Sequence, residues 1–183
     1  NMFSLMFFMF LGFFIIWVFT LTDTGRLGRD RLLLKIPLFG NLIQQNILSK
    51  FGKTFGILIS AGVSVMDSME LLIKVVDNRV YELALINAKD DIENGISISQ
   101  ALRDTNIFPP IFIQLLSTGE ETGEIDTLAL KASEFYAKQV AAIVDRLTAL
   151  IEPALIIVVG GVVGIVIIVT YLPIFNFGAA LAQ

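Results

Sequence analysis

Pro153–Leu172, PALIIVVGGVVGIVIIVTYL, is a run of 20 residues without a charge, and no charge follows it through Gln183. A hydrocarbon core about 30 Å thick is crossed by roughly 20 apolar residues of helix. The run meets that requirement. A buried core helix is the alternative, but the 31 uncharged residues from 153 to 183 cannot be covered by a domain this small. The chain therefore reads as a membrane protein at this end.

Working outward, Met2–Leu21 has the same character, and residues 1–22 are also free of charge. All 13 Lys and Arg lie between Arg26 and Arg146, and all 17 Asp and Glu between Asp23 and Glu152. The hydrophobic fraction of 55% and charged fraction of 16% depart from the roughly 45–50% and 25% of ordinary globular chains. A cleaved signal sequence is the other reading of the first run, but it would carry a basic start and a shorter apolar core. No basic residue precedes Arg26, and the run is long and aromatic. Basic residues near span ends set orientation. Arg26, Arg29, Arg31 and Lys35 follow the first run, and Lys131, Lys138 and Arg146 precede the second. Both comparisons put the middle of the chain in the cytoplasm and both ends outside. Trp17 and Tyr171 sit near span ends, where amphipathic rings favour the interface.

The chain has no Cys and no His, which removes disulfides, thiolate chemistry, Cys/His zinc sites and Ser-His triads. A net charge of −4 gives no reason to expect nucleic-acid binding. The chain begins at Asn1, almost directly in an apolar run, and is expected to be a piece of a longer protein.

Between the runs the apolar period is about 3.6, with Pro and Gly where helices should end. Ile36-Pro37-Leu38-Phe39-Gly40 reads as a bend closing a basic linker over 23–40. A helix over about 41–60 follows, with Ile47, Phe51, Phe55 and Leu58 in one stripe and Ala61-Gly62 at its end. Ser64 with Asp67, and Ser97 with Gln100, read as capping boxes. The first opens a helix striped by Val65, Met69, Leu72 and Val76; the second opens a short helix through Arg103. Between them a helix over 79–93 aligns Tyr81, Leu85, Ala88 and Ile92. Pro109-Pro110 starts a fifth helix, since proline is tolerated in a first turn, packing Phe112, Leu115 and Leu116. A sixth follows Thr122-Gly123, with Ile125, Leu128, Ala132 and Phe135 facing the core and Ile143 and Leu147 continuing the stripe. No stretch alternates at period two. The expected fold is all-α: a six-helix antiparallel bundle over 41–150 between spans at 1–22 and 151–173, with a short external tail at 174–183.

KIPLFGNLI (Lys35–Ile43), FGKTFGILISAGVSVMDSMELL (Phe51–Leu72), FPPIFIQLLSTGEETGEIDTL (Phe108–Leu128) and LTALIEPALIIVVGGVVGIVIIVTYLPIF (Leu147–Phe175) together resemble the GspF/PilC family. These are the inner-membrane platform proteins of type II secretion systems and type IV pili. The resemblance is weakest over residues 1–22, where only hydropathy matches. Members usually carry two related cytoplasmic helical domains and three spans; this chain matches the second domain and its flanking helices. One departure is Ser64, where relatives often have proline, and serine caps a helix as well. The resemblance implies a non-enzymatic role without a cofactor. It implies a platform in the bacterial inner membrane that couples a separate cytoplasmic ATPase to insertion and extraction of pilin or pseudopilin helices, with copies associating around an assembly axis.

Three groups of residues carry candidate roles. Glu120, Glu121, Glu124 and Asp126 are dense enough in carboxylate to take Ca²⁺ or Mg²⁺, to dock a basic partner, or merely to favour a helix N-terminus. Glu152-Pro153, where the sixth helix reaches the membrane, is either a hinge or a static bend. Gly160, Gly161 and Gly164 form a small-residue face that lets a second helix approach. They are no nucleotide fingerprint, because no strand precedes them, and no G-x-x-x-x-G-K-[ST] occurs. The basic group after the first run is explained by orientation and is also suited to anionic lipid. The alternative function is a two-span membrane sensor or transporter subunit with a helical cytoplasmic domain. A transporter or intramembrane enzyme would need ionisable groups within its spans, and neither run has one.

Overall fold

The computed structural model describes residues 23–37 and 39–180, so the expected first span at 2–21 lies outside the described residues. Every regular element among the described residues is an α-helix. The chain divides into two compact units, Asn1–Val140 and Ala141–Gln183.

The first unit holds α1 (Asp23–Lys35), α2 (Phe39–Ser60), α3 (Val65–Val75), α4 (Arg79–Glu93), α5 (Ile98–Asp104), α6 (Pro110–Thr122) and most of α7 (Ile125–Ala149). Six of these are the helices read from periodicity. The addition is α1, which occupies the stretch expected as a basic linker. It has little apolar stripe of its own; what holds it is tertiary. It packs on α2 and α4, and the buried Asp30 carboxylate accepts the backbone N–H of Arg79 at 2.9 Å. Asn78 completes that helix start, its side-chain oxygen accepting from Val80 at 3.0 Å and Tyr81 at 3.3 Å. The first orphan donors of α4 are thus satisfied by Asp30 from α1 and by Asn78, the residue just before α4.

Both expected capping boxes are half present. Ser64 Oγ accepts the Asp67 N–H at 3.1 Å, but the Asp67 carboxylate takes the Ser64 hydroxyl at 2.6 Å rather than a backbone donor. Ser97 Oγ accepts from Gln100 at 3.4 Å, while the Gln100 amide turns forward to Asp104 at 2.8 Å.

An aromatic group fills the core. Phe51 on α2 meets Phe55, Phe108 and Phe112 at ring separations of 5.7, 5.7 and 5.5 Å, mostly edge to face. Tyr81 on α4 stands edge-on to Phe108 at 5.5 Å, and Tyr136 on α7 tilts against Phe112 at 5.8 Å. Such pairs contribute about 0.5–1.5 kcal/mol beyond area burial. Leu48, Met69, Leu85, Leu102 and Leu116 pack around them, fully buried.

Where α2 meets α7 the side chains are small. A Cβ on Gly52 would lie 2.7 Å from the Ala129 carbonyl oxygen and 3.1 Å from the Ser133 nitrogen. One turn on, a Cβ on Gly56 would lie 2.9 Å from the Asp126 carbonyl oxygen. Two reciprocal bonds lock the crossing: Ser133 Oγ donates to the Ser49 carbonyl at 2.8 Å, and Ser49 Oγ donates to the Ser133 carbonyl at 3.2 Å. This seam corrects the expected stripe of α7. Ala129, Ala132, Ser133 and Tyr136 are buried, while Phe135 is 40% exposed and Leu128 only half-buried. Ala132 is buried and Ile125 packs against the core as expected, but reading by large apolar residues put Leu128 and Phe135 where Ala129, Ser133 and Tyr136 lie, because a backbone-to-backbone contact selects for size rather than hydrophobicity.

In the second unit, the end of α7 is followed by Leu150 and then α8 (Ile151–Ala180). The run Ile125–Ile168 is the one among the described residues long and apolar enough to cross a membrane, and none of its apolar window is buried. α8 continues helically to Ala180, past the expected end of the span.

Two outcomes follow for the first unit. Gly52→Ala drives a methyl into backbone that has no rotamer to yield, so chemical unfolding should show a loss of about 1–3 kcal/mol. Gly56→Ala should show a loss of the same order, since its methyl would meet the Asp126 carbonyl oxygen at 2.9 Å as well as the Leu130 side chain at 2.7 Å. Separately, burial pushes the Tyr81 hydroxyl up to about 12, where it donates to the Ile107 carbonyl at 3.2 Å. A raised value in the folded state means its stabilisation is complete below pH 10 and is lost as pH climbs through 12. Unfolding titrations should show that alkaline loss, at most ~3 kcal/mol, and Tyr81→Phe should flatten it.

Candidate functional site

The four acidic residues singled out in the sequence sit at the corner between α6 and α7. Gly123 makes the corner, ending α6 in the left-handed region at φ 74°, a conformation that favours glycine. Gly119 lets the corner close: a Cβ there would lie 2.7 Å from the Ile125 Cα.

The corner sorts the carboxylates. Glu120 turns inward to α5. It accepts the backbone N–H of Ile98 at 2.7 Å, that of Ser99 at 3.1 Å and the Ser99 hydroxyl at 2.8 Å. It is therefore the cap that the half-formed box at Ser97 lacks, supplied from another helix and favourably placed on the macrodipole. Glu121 is exposed and accepts the Ser117 hydroxyl at 3.0 Å. Glu124 is exposed, and its carbonyl starts α7 by accepting from Leu128 at 3.0 Å. Asp126 lies half-buried in the first turn of α7. Among the described residues no three acidic side chains are placed to hold a metal ion. What the corner offers is a small outward negative edge on a rigid turn.

The other candidates lie in the second unit. Pro153 stands in the first turn of α8, where a missing N–H breaks no established bond. The interruption falls at Leu150, whose carbonyl accepts from Ala154 at 3.3 Å. A proline ring at 153 crowds the carbonyl four residues earlier, so the chain leaves regular helix just there. Glu152 is exposed beside it, and Gly160 and Gly161 have no neighbour within 4 Å of a notional Cβ, as does Gly164. Exposed apolar side chains surround them, including Ile157 at 74% and Ile156 at 67%.

A cavity of about 240 Å³ opens between α1, α2 and α3, with an apolar floor that includes Ile47, Phe51 and Leu72. Its rim ions pair internally: Arg29 with Asp30 and Lys50 with Asp77, each at 3.0 Å. The cavity therefore shows no unpaired charge for a ligand. Asp30 is the structurally decisive residue that sequence reading missed. It stands in a run of basic residues, and its partner Arg79 is 49 positions away, so no local spacing announces it.

A buried aromatic bundle, a bare apolar helix and an acidic turn, with Asp30 and Glu120 tied into helix starts, define a membrane-associated helical scaffold. The family model for type II secretion system (T2SS) protein F matches residues 51–173, and the chain belongs to that family. It is 38% identical over 157 residues to the type IV pilus assembly protein PilC of Myxococcus xanthus, covering 86% of this chain and 38% of that protein. The protein transport protein HofC homolog of Escherichia coli K12 is 33% identical, covering 87% of this chain and 40% of the relative. The type II secretion system protein F of Pseudomonas aeruginosa is 28% identical, covering 79% and 36%. The chain thus spans about two-fifths of the length of the curated relatives it matches.

Glu120→Ala should leave two backbone donors of α5 unsatisfied and lower stability by about 2 kcal/mol, whereas Glu121→Ala should stay within about 0.5 kcal/mol of the parent. Thermal unfolding of the two variants side by side checks the sorting.

Proposed function

We propose that this chain is the second cytoplasmic domain, with its flanking spans, of an inner-membrane platform for a type IV pilus or type II secretion machine. The observation that carries the reading is the family match over residues 51–173, joined to relatives named for pilus assembly and for secretion. The platform works by binding and not by catalysis. Its bundle faces the cytoplasm and a separate ATPase, its spans face pilin or pseudopilin helices and lipid, and copies associate around the assembly axis.

On this reading the exposed acids Glu121 and Glu124, with the half-buried Asp126 beside them, meet basic residues of the motor. Glu120 supports the corner from within. The break at Leu150, set by Pro153 and flanked by Glu152, is the hinge at which motion of the bundle reaches α8. The face of Gly160, Gly161 and Gly164 is where another helix packs, because small residues let backbones approach where lipid offers no hydrophobic gain. The competing reading, a sensor or transporter subunit, draws less support. α8 carries no Asp, Glu, Lys, Arg or His beyond Glu152 in its first turn, and the ions at the cavity rim are already paired.

The test is co-purification of the intact platform with its ATPase and pilin. Reversal of Glu121, Glu124 and Asp126 to Lys should cut recovery of the ATPase by at least about tenfold, since like charges across an interface cost several kcal/mol. Recovery of pilin should persist, and piliation or secretion should fall with the ATPase. Unchanged recovery and unchanged assembly would remove the acidic edge as the motor contact.

A further inference from the structure

The outward side of α1 is the least explained surface of the first unit. Leu32 is 67% exposed and Phe39 53%, the two most exposed large apolar side chains among the described residues of that unit, and Ile36 is 44% exposed. Leu32 and Ile36 are four positions apart, on one side of a helical path that the Ile36 N–H continues by donating to the Leu33 carbonyl at 3.3 Å. Arg26, Arg29, Arg31 and Lys35 are all exposed on the same short element. The opposite side is fixed to the protein: Asp30 is buried on the start of α4, and Leu34 packs against the core. An isolated exposed leucine needs no account, but three large apolar groups among four cations within fourteen residues are the chemistry of a bilayer interface.

We infer that α1 and its corner with α2 form an interfacial foot that lies on an anionic leaflet, with Leu32, Ile36 and Phe39 in the headgroup region and Arg31 and Lys35 over lipid phosphates. Charge complementarity selects the occupant. Four of the six ionisable residues of 23–40 are basic, whereas the chain as a whole has a net charge of −4. Position in the chain agrees, because α1 directly follows the charge-free residues 1–22; this part rests on reading those residues as a span. The foot goes beyond orienting the chain. Since the other side of α1 caps α4 through Asp30, lipid contact would be felt at the start of α4 and at the cavity beside it, and not only at the membrane.

The chain has no Cys, so single cysteines can be spin-labelled without background. The full chain would be placed in bilayers of phosphatidylcholine with and without phosphatidylglycerol, labelled at Leu32→Cys, Ile57→Cys, Val163→Cys or Phe10→Cys. Collision with oxygen against a nickel chelate then reads depth. In bilayers containing phosphatidylglycerol, position 32 should report headgroup depth while position 57 stays aqueous. Each Lys or Arg beside an anionic surface shifts the docked population by roughly fivefold, so Arg31→Glu with Lys35→Glu should lower it by more than about tenfold. Removing phosphatidylglycerol should act the same way. The inference is overturned if position 32 is as aqueous as position 57 while position 163 reads mid-bilayer. It is equally overturned if immersion at 32 ignores both lipid charge and the double reversal. An aqueous position 10 would refute the span reading by itself, leaving position 32 to decide the foot.

Discussion

The approach of α2 to α7 is the constraint on which the first unit depends. Gly52 and Gly56 leave no room for side chains between the two backbones, and Ser49 and Ser133 exchange hydrogen bonds across the gap. That contact joins residues 84 positions apart and closes the bundle on itself. With it in place Phe51 can touch Phe112, and Phe112 can touch Tyr136, so the aromatic core is enclosed and not merely stacked. It also fixes the start of α7, and with it the acidic turn that precedes α7.

Charge in this unit is sorted by helix ends. Asp30 from α1 and Glu120 from α6 each satisfy backbone donors at the start of a different helix. Each therefore serves as a tertiary contact as well as a cap, and Glu120 does so for a short α5 that is also packed into the core through Ile98, Ala101 and Leu102. Of the acids at the corner, Glu121 and Glu124 face solvent on a turn that Gly123 makes by its positive φ and Gly119 by a close approach.

Much of the fold was legible because it is local. The proline and glycine punctuation marked the six helices of the bundle, and the stripes of α2, α3 and α4 follow directly from period 3.6. The α7 stripe was misread where packing rewards smallness, since Ala129 and Ser133 look unremarkable beside Phe135. α1 was missed because its reason to be helical lies in α4. For the acidic group, spacing showed density but not direction; only the distance from Glu120 to Ile98 separates the inward carboxylate from the outward ones. The family likeness was carried by motifs that the structure explains piecewise. The FPP motif starts α6, the GEETGEID motif forms the turn, and the EP pair marks the break before α8.

We propose that this corner of the bundle faces the motor of an assembly machine. A photo-crosslinking amino acid at Glu121 or Glu124 in the intact platform, activated in living cells, tests it most directly. The account predicts cross-links from 121 and 124 to the cytoplasmic ATPase, and none from Leu71, an exposed position on α3. Equal cross-linking from all three positions, or none from 121 and 124 in cells that assemble the machine, would contradict it.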